Sequence, residues 1–249
     1  MHAHTRSVLS GPSALRAALE TAPVIVPGCH DPLSARHAAN AGAHAVFVSG
    51  GAVGRGRFNA PAVPRDGAAV YTDYVRHICA SVSIPVIVDG EDGFGDPVGT
   101  CSRLAEAGAA AVIVADTPAD GGPPRDMTAT ITRVRAELDV ALVARADGLE
   151  QDPAGCRDRL HQYCDAGADL VMPLLNTVLR QPPEQLAATL TALAENTAPK
   201  LVLHSPLGRE LPPPHQLPKG IAAVLVTAVA LPPSPEHLAT VLEHGRLPG

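Results

Sequence analysis

The sequence predicts an α/β chain folded as a (β/α)8 TIM barrel, a single domain across residues 1–249. Three observations predict it. Short runs rich in valine and isoleucine recur eight times, segments with helical spacing lie between them, and an Ala-Gly pair closes three of those segments just before the next run. Continuous apolar runs fit strands buried on both faces, as a parallel sheet requires. Eight strands alternating with helices over about 250 residues fit a barrel. A doubly wound open sheet is the architectural competitor.

The strands are expected at Pro23 to Pro27, Ala45 to Ser49, Pro85 to Asp89, Ala111 to Ala115, Ala141 to Arg145, Leu170 to Pro173, Lys200 to His204 and Ala222 to Thr227. The first intervening helix is expected over Pro32 to Ala41, with Asp31 as its N-cap. Later helices are expected over Asp73 to Val82, Val98 to Ala107, Met127 to Leu138, Ala154 to Ala166, Pro183 to Glu195 and Pro235 to His244. Ala41-Gly42, Ala107-Gly108 and Ala166-Gly167 stop three of them, because glycine supplies the left-handed residue that turns the chain.

Composition narrows the partners. Hydrophobic residues make up 46% of the chain, enough to fill one large core. A net charge of −6 argues against a phosphate backbone, so no nucleic-acid partner is expected. The five cysteines form no Cys-x-x-Cys pair and are odd in number, which fits neither a zinc ribbon nor a disulfide framework and suits a reducing compartment. No apolar stretch has the length of a membrane span and the N-terminus lacks a signal-peptide core, so a cytoplasmic protein without a membrane partner is expected.

The chemistry concentrates at Val88 to Gly95, which reads Val-Asp-Gly-Glu-Asp-Gly-Phe-Gly directly after a buried strand. Acids among flexible glycines suit a hard cation that takes oxygen ligands and keeps waters for a reactant. In a barrel the active site lies at the carboxyl ends of the strands. Ser49, Gly50, Gly51, Asp116, Arg145, Asp147 and His204 are expected there too. Each feature has a plainer reading. The acids could form a solvated turn, Arg145 could pair with Asp147 or Glu91, and Ser49-Gly50-Gly51 could be an ordinary turn. Gly54-Arg55-Gly56-Arg57 could dock an anion or be a solvated loop; without a Gly-Lys-Ser/Thr ending it is no P-loop. His30 and His204 could be rim histidines or proton carriers. The cysteines read as packing residues, with Cys29 nearest the mouth.

Pro27-Gly28-Cys29-His30-Asp31-Pro32-Leu33-Ser34-Ala35-Arg36 resembles the opening of the isocitrate lyase and phosphoenolpyruvate mutase superfamily. Val48 to Gly51, Val88 to Gly95, Val143 to Asp147 and Ala166 to Asp169 agree with it in the same order. The resemblance implies a barrel that binds Mg²⁺, or Mn²⁺ as an alternative, together with a small anionic α-oxo or α-hydroxy carboxylate. It implies that a C–C or P–C bond is made or broken beside an enolpyruvate. It places Asp89, Glu91 and Asp116 in the metal site, Asp116 as the aspartate of an acidic pair that touches the metal or only its waters. Ser49, Gly50 and Gly51 match a carboxylate-holding loop, and Arg145 an active-site arginine. His30 and His204 remain candidates to move a proton. A homo-oligomer is expected.

Departures from that pattern shape the functional expectation. Ala115 replaces the other acid of the pair, and Ala62 replaces an aspartate for which Asp66 could stand in. Leu174 replaces a glutamate, His204 replaces an asparagine, and Thr117 to Asp126 lacks the cysteine, lysine and histidine of the relatives' gating loops. The long carboxyl-terminal extension of many relatives is not expected. Decarboxylation or C–C cleavage of an oxaloacetate-like acid through an enolate is the leading expectation. P–C chemistry, with Arg55, Arg57 or Arg125 replacing the gating lysines, is the second. A barrel repurposed for ligand binding or for a divergent biosynthetic step is the third.

Overall fold

A computed structural model describes residues 10–20, 23–195, 200–205, 211–227 and 243; the helix expected over Pro235 to His244 lies outside them. Eight parallel strands close in sequence order: β1 (Val24–Cys29), β2 (Val46–Val48), β3 (Val86–Asp89), β4 (Ala111–Ala115), β5 (Ala141–Ala146), β6 (Leu170–Pro173), β7 (Leu201–Ser205) and β8 (Ile221–Val226). Each end of the series meets the other, since β1 pairs with β8 from Val24↔Ala223 to Pro27↔Val226. The open-sheet alternative is thereby excluded.

Among the described residues, eight helices accompany them: α1 (Pro12–Leu19), α2 (Pro32–Asn40), α3 (Gly50–Val53), α4 (Ala68–Ala80), α5 (Pro97–Glu106), α6 (Thr128–Glu137), α7 (Pro153–Asp165) and α8 (Pro183–Ala194). The N-cap of α2 forms as expected, with Asp31 accepting from the Ser34 amide in a capping box. All three Ala-Gly stops also form, with φ of 91° at Gly42, 104° at Gly108 and 97° at Gly167. Helix α4 begins five residues before the expected Asp73, because the turn Arg65–Gly67 leads straight into the strong helix formers Ala68 and Ala69. Helices α1 and α3 and the π-turn Gly54–Phe58 were not expected.

Side-chain alternation organises the core into two shells. Val24, Val26, Phe47, Ile87, Ile113, Val143, Met172, Val202 and Leu225 fill the barrel interior, joined by Leu15 of α1. Their neighbours Ile25, Val46, Val48, Val88, Val112, Val114, Leu142, Ala144, Val171, Leu203 and Val224 face outward and pack with the helices. Successive residues of a strand point to opposite faces. One further step along each strand therefore aims eight positions into the mouth of the barrel: Gly28, Ser49, Asp89, Ala115, Arg145, Leu174, His204 and Thr227.

Candidate active site

Asp89 and Glu91 form the electrostatic centre of that mouth. Asp89 Oδ1 accepts from the Glu91 amide at 3.0 Å, and Oδ2 from the Gly50 amide at 3.3 Å. The chain turns back at Glu91, whose φ of 53° is unusual for a residue with a side chain. That turn brings Glu91 Oε1 to within 3.1 Å of the Val63 amide. Both carboxylates converge on Gly50: a Cβ there would stand 2.2 Å from Glu91 Oε1 and 3.0 Å from Asp89 Oδ2. Only glycine lets the backbone approach two acids this closely.

Burial, and then the charge of Asp89, push the Glu91 carboxyl up to about 8. Two desolvated acids side by side favour a bound cation or a shared proton. This donor set, all oxygen and doubly negative, fits a divalent hard cation such as Mg²⁺. Among the described residues, no three His, Cys, Asp or Glu side chains are grouped to hold a metal ion. The pair would leave most of a cation's positions to water and reactant.

Arg145 rises from β5 beside the pair. Its Nε and Nη2 grip Asp147 at 2.8 and 3.2 Å, and its Nη1 lies 3.9 Å from Asp89 Oδ1. Burial works against its charge, but Asp147, Asp89 and Glu91 more than compensate and keep the guanidinium protonated. Arg145 is thus both the structural partner of Asp147 and a cation facing the acids.

Asp116 corrects the sequence reading. It follows the inward Ala115, so alternation sends it out of the barrel toward α7, where it is fully buried. Its Oδ1 accepts from the Asp147 amide and the Thr117 hydroxyl at 3.1 Å each, and its Oδ2 from Arg159 Nε and the Tyr163 hydroxyl at 2.9 Å each. With its acceptor sites filled it is no metal ligand. It anchors the backbone of residue 147, whose carbonyl accepts from Arg159 Nη2. The sequence signal was the alternation itself, which favours position 115 over 116.

The other expected residues divide. Ser49 is buried and caps α3, accepting from the Ala52 amide at 3.3 Å, so its hydroxyl and the Gly50 amide are engaged within the protein. Gly51 lies beside the guanidinium of Arg55. His204 stands inside the mouth, its ring edge-on to Phe47 and its Nε2 3.0 Å from the hydroxyl of Thr227, a residue the sequence reading missed. His30 lies on the rim, half exposed, 3.7 Å from Asp31. Cys29 packs in the outer shell rather than the mouth, where burial pushes its thiol up.

Two arginines expected to replace the gating lysines are otherwise engaged. Arg57 stacks over Tyr74 at 4.6 Å, and Arg125 donates to the carbonyls of Asp92, Ala115 and Asp116. Arg125 thereby pins the segment 117–126, helped by the Ala119 amide on Asp92 Oδ2 at 3.1 Å. Asp92 is 5% exposed and also holds Arg65 and the Phe94 amide, so it is a structural hub, not a solvated acid. Asp66 is exposed.

An eight-stranded parallel barrel with acids and an arginine at its strand ends defines a class whose reactions occur at that face. The chain belongs to the phosphoenolpyruvate phosphomutase family, whose model matches residues 15–227. It is 32% identical over 177 residues to the 2-methylisocitrate lyase of Aeropyrum pernix, covering 64% of this chain and 56% of that protein. It is 29% identical over 197 residues to the phosphonopyruvate hydrolase of a Variovorax species, covering 70% and 66%. The chain thus spans little more than half the length of the first of these relatives. Among solved structures it resembles oxaloacetate acetylhydrolase, with a TM-score of 0.72, 25% identity and coverage of 95% of this chain and 88% of that one. The superfamily resemblance read from the residues is borne out.

Proposed function

We propose that the protein is a Mg²⁺-dependent lyase acting on a small α-oxo or α-hydroxy carboxylate through an enolate, by decarboxylation or C–C cleavage of an oxaloacetate-like acid. The observation that carries this reading is the convergence of Asp89 and Glu91 on Gly50 with Arg145 alongside. Asp89 and Glu91 would hold Mg²⁺, with Mn²⁺ as the alternative. When bound, the cation supplies Lewis-acid stabilisation of the negative charge that develops on the reactant. Arg145 Nη1, the part of its fork not taken by Asp147, orients the reactant's carboxylate. His204, steadied by Thr227, is placed to hold or move a proton within the mouth. His30, on the rim, is the weaker proton carrier.

The segment 117–126 offers no cysteine, lysine or histidine. A reaction whose departing group is CO₂ needs no acid at the bond being broken, which favours decarboxylation over cleavage of a larger tricarboxylate. The commitments of Arg57 and Arg125 weigh against P–C chemistry. Named relatives in the family act on both kinds of bond.

The test is calorimetric titration of oxalate, an enolpyruvate mimic, with and without Mg²⁺, repeated on Glu91→Gln. Binding that requires both the metal and Glu91 supports the reading. Oxalate binding that is indifferent to either would overturn it, as would turnover of phosphonopyruvate, followed by phosphorus NMR, in preference to oxo acids.

A further inference from the structure

Of the eight positions aimed into the mouth, Leu174 is the one that presents a large apolar side chain. It is half-buried, and its amide continues the β5–β6 ladder by donating to the Ala146 carbonyl at 3.1 Å. A cavity of about 590 Å³ opens beside it, between the segments 117–124 and 147–152 and the flank of α7. Leu149 and Pro124 give it further apolar wall.

The charged groups around this cavity are accounted for in turn. Asp147 is neutralised by the fork of Arg145. Arg159, the cavity's cation, gives Nε to Asp116 and Nη2 to the Asp147 carbonyl. Asp152 caps α7 through the Gly155 amide, and Glu150 stands exposed at the rim. An anionic tail entering here would meet two rim carboxylates and a cation that is already paired. An apolar tail would meet Leu174 and Leu149. Arg145 links this cavity to the acids, since one guanidinium touches Asp147 on the cavity wall and faces Asp89 at 3.9 Å. A reactant whose carboxylate is oriented by Arg145 Nη1 therefore lies next to the wall of this cavity, and we take its other end to point toward Leu174.

We propose that this cavity is the specificity subsite of the enolate site, and that it takes an uncharged alkyl substituent of the reactant in preference to a second carboxylate. The inference rests on the function proposed above. Pockets of this kind are mostly apolar with a few placed polar groups. Burying a carboxylate without a partner is strongly disfavoured, whereas added alkyl carbons gain affinity.

The experiment compares oxalate with three oxamates in the presence of Mg²⁺, by calorimetry on the full chain: N-isobutyl, N-carboxymethyl and N-(2-aminoethyl). The N-isobutyl compound is expected to bind about tenfold more tightly than the N-carboxymethyl one. Leu174→Ala is expected to lower the isobutyl-to-oxalate affinity ratio by about tenfold, and Leu174→Met to restore it. Tightest binding of the carboxymethyl or aminoethyl tail would overturn the inference. So would equal binding of all three tails, or a Leu174→Ala effect that weakens oxalate and isobutyloxamate alike. Absence of oxalate binding would instead bring down the enolate reading itself, and the subsite with it.

Discussion

Asp89 ends β3 and Asp116 follows β4, so two aspartates sit at the carboxyl ends of adjacent parallel strands with opposite fates. Asp89 points inward, beside a second acid, with the nearest cation 3.9 Å away. Asp116 points outward, is wholly enclosed, and has an arginine, a tyrosine, a threonine and a backbone amide on its two oxygens. The difference lies in one step of alternation, not in residue type. Negative charge left unmatched under burial marks a place where something else is meant to bind. Negative charge answered on every side marks a joint in the framework.

The largest expected effect belongs to the joint. Asp116→Ala would strand Arg159 and the Tyr163 hydroxyl, and breaking such a buried pair costs about 3–5 kcal/mol. Urea unfolding of the metal-free protein reads this directly. A loss within a few tenths of a kcal/mol would break the comparison by making Asp116 dispensable. Next comes Gly50→Ala, whose Cβ would stand 2.2 Å from Glu91 Oε1. Forcing that acid aside costs about 1–3 kcal/mol and should abolish Mg²⁺-dependent oxalate binding. Wild-type stability and binding would show that Glu91 swings clear without penalty.

The smallest effect sharpens the other side. The folded state holds the Glu91 proton up to about pH 8, against an ordinary value of 4.5. The favourable contribution is therefore fully present below 4.5 and is lost as pH rises through 8, because the folded state binds the proton more tightly than the unfolded chain. Glu91→Gln should leave stability nearly unchanged at low pH and remove this part of the decline toward pH 9, measured by denaturant unfolding with chelator present. A decline of unchanged slope in the variant would mean that the proton sits elsewhere.

Much of this was legible in the residues. Eight apolar runs and the Ala-Gly stops define the barrel, and Asp89, Arg145 and His204 all fall on inward positions of their runs. Asp116 misled because its partners, Arg159 and Tyr163, are 43 and 47 residues away and meet it only once α7 packs on β5. Arg125 misled for a related reason: a guanidinium reads as a group for anions, yet here it answers backbone carbonyls that strand ends leave open. The turn at Glu91 was not legible, since the contacts that accompany its φ of 53°, with Val63 and Ala115, come from other parts of the chain.

The two-shell alternation also divides this molecule for an engineer. Leu174 faces the mouth, is half-buried and lies outside the helix-packed shell, so its size can be exchanged with little disturbance to the framework, whereas Ala115 and Thr227 share the mouth but are buried. Positions 114, 116 and 175, one step along the same segments, belong to that framework, and a library spread evenly over both sets would lose most of its members to unfolding. Centred on Leu174, the same library would sample new reactants on an intact barrel.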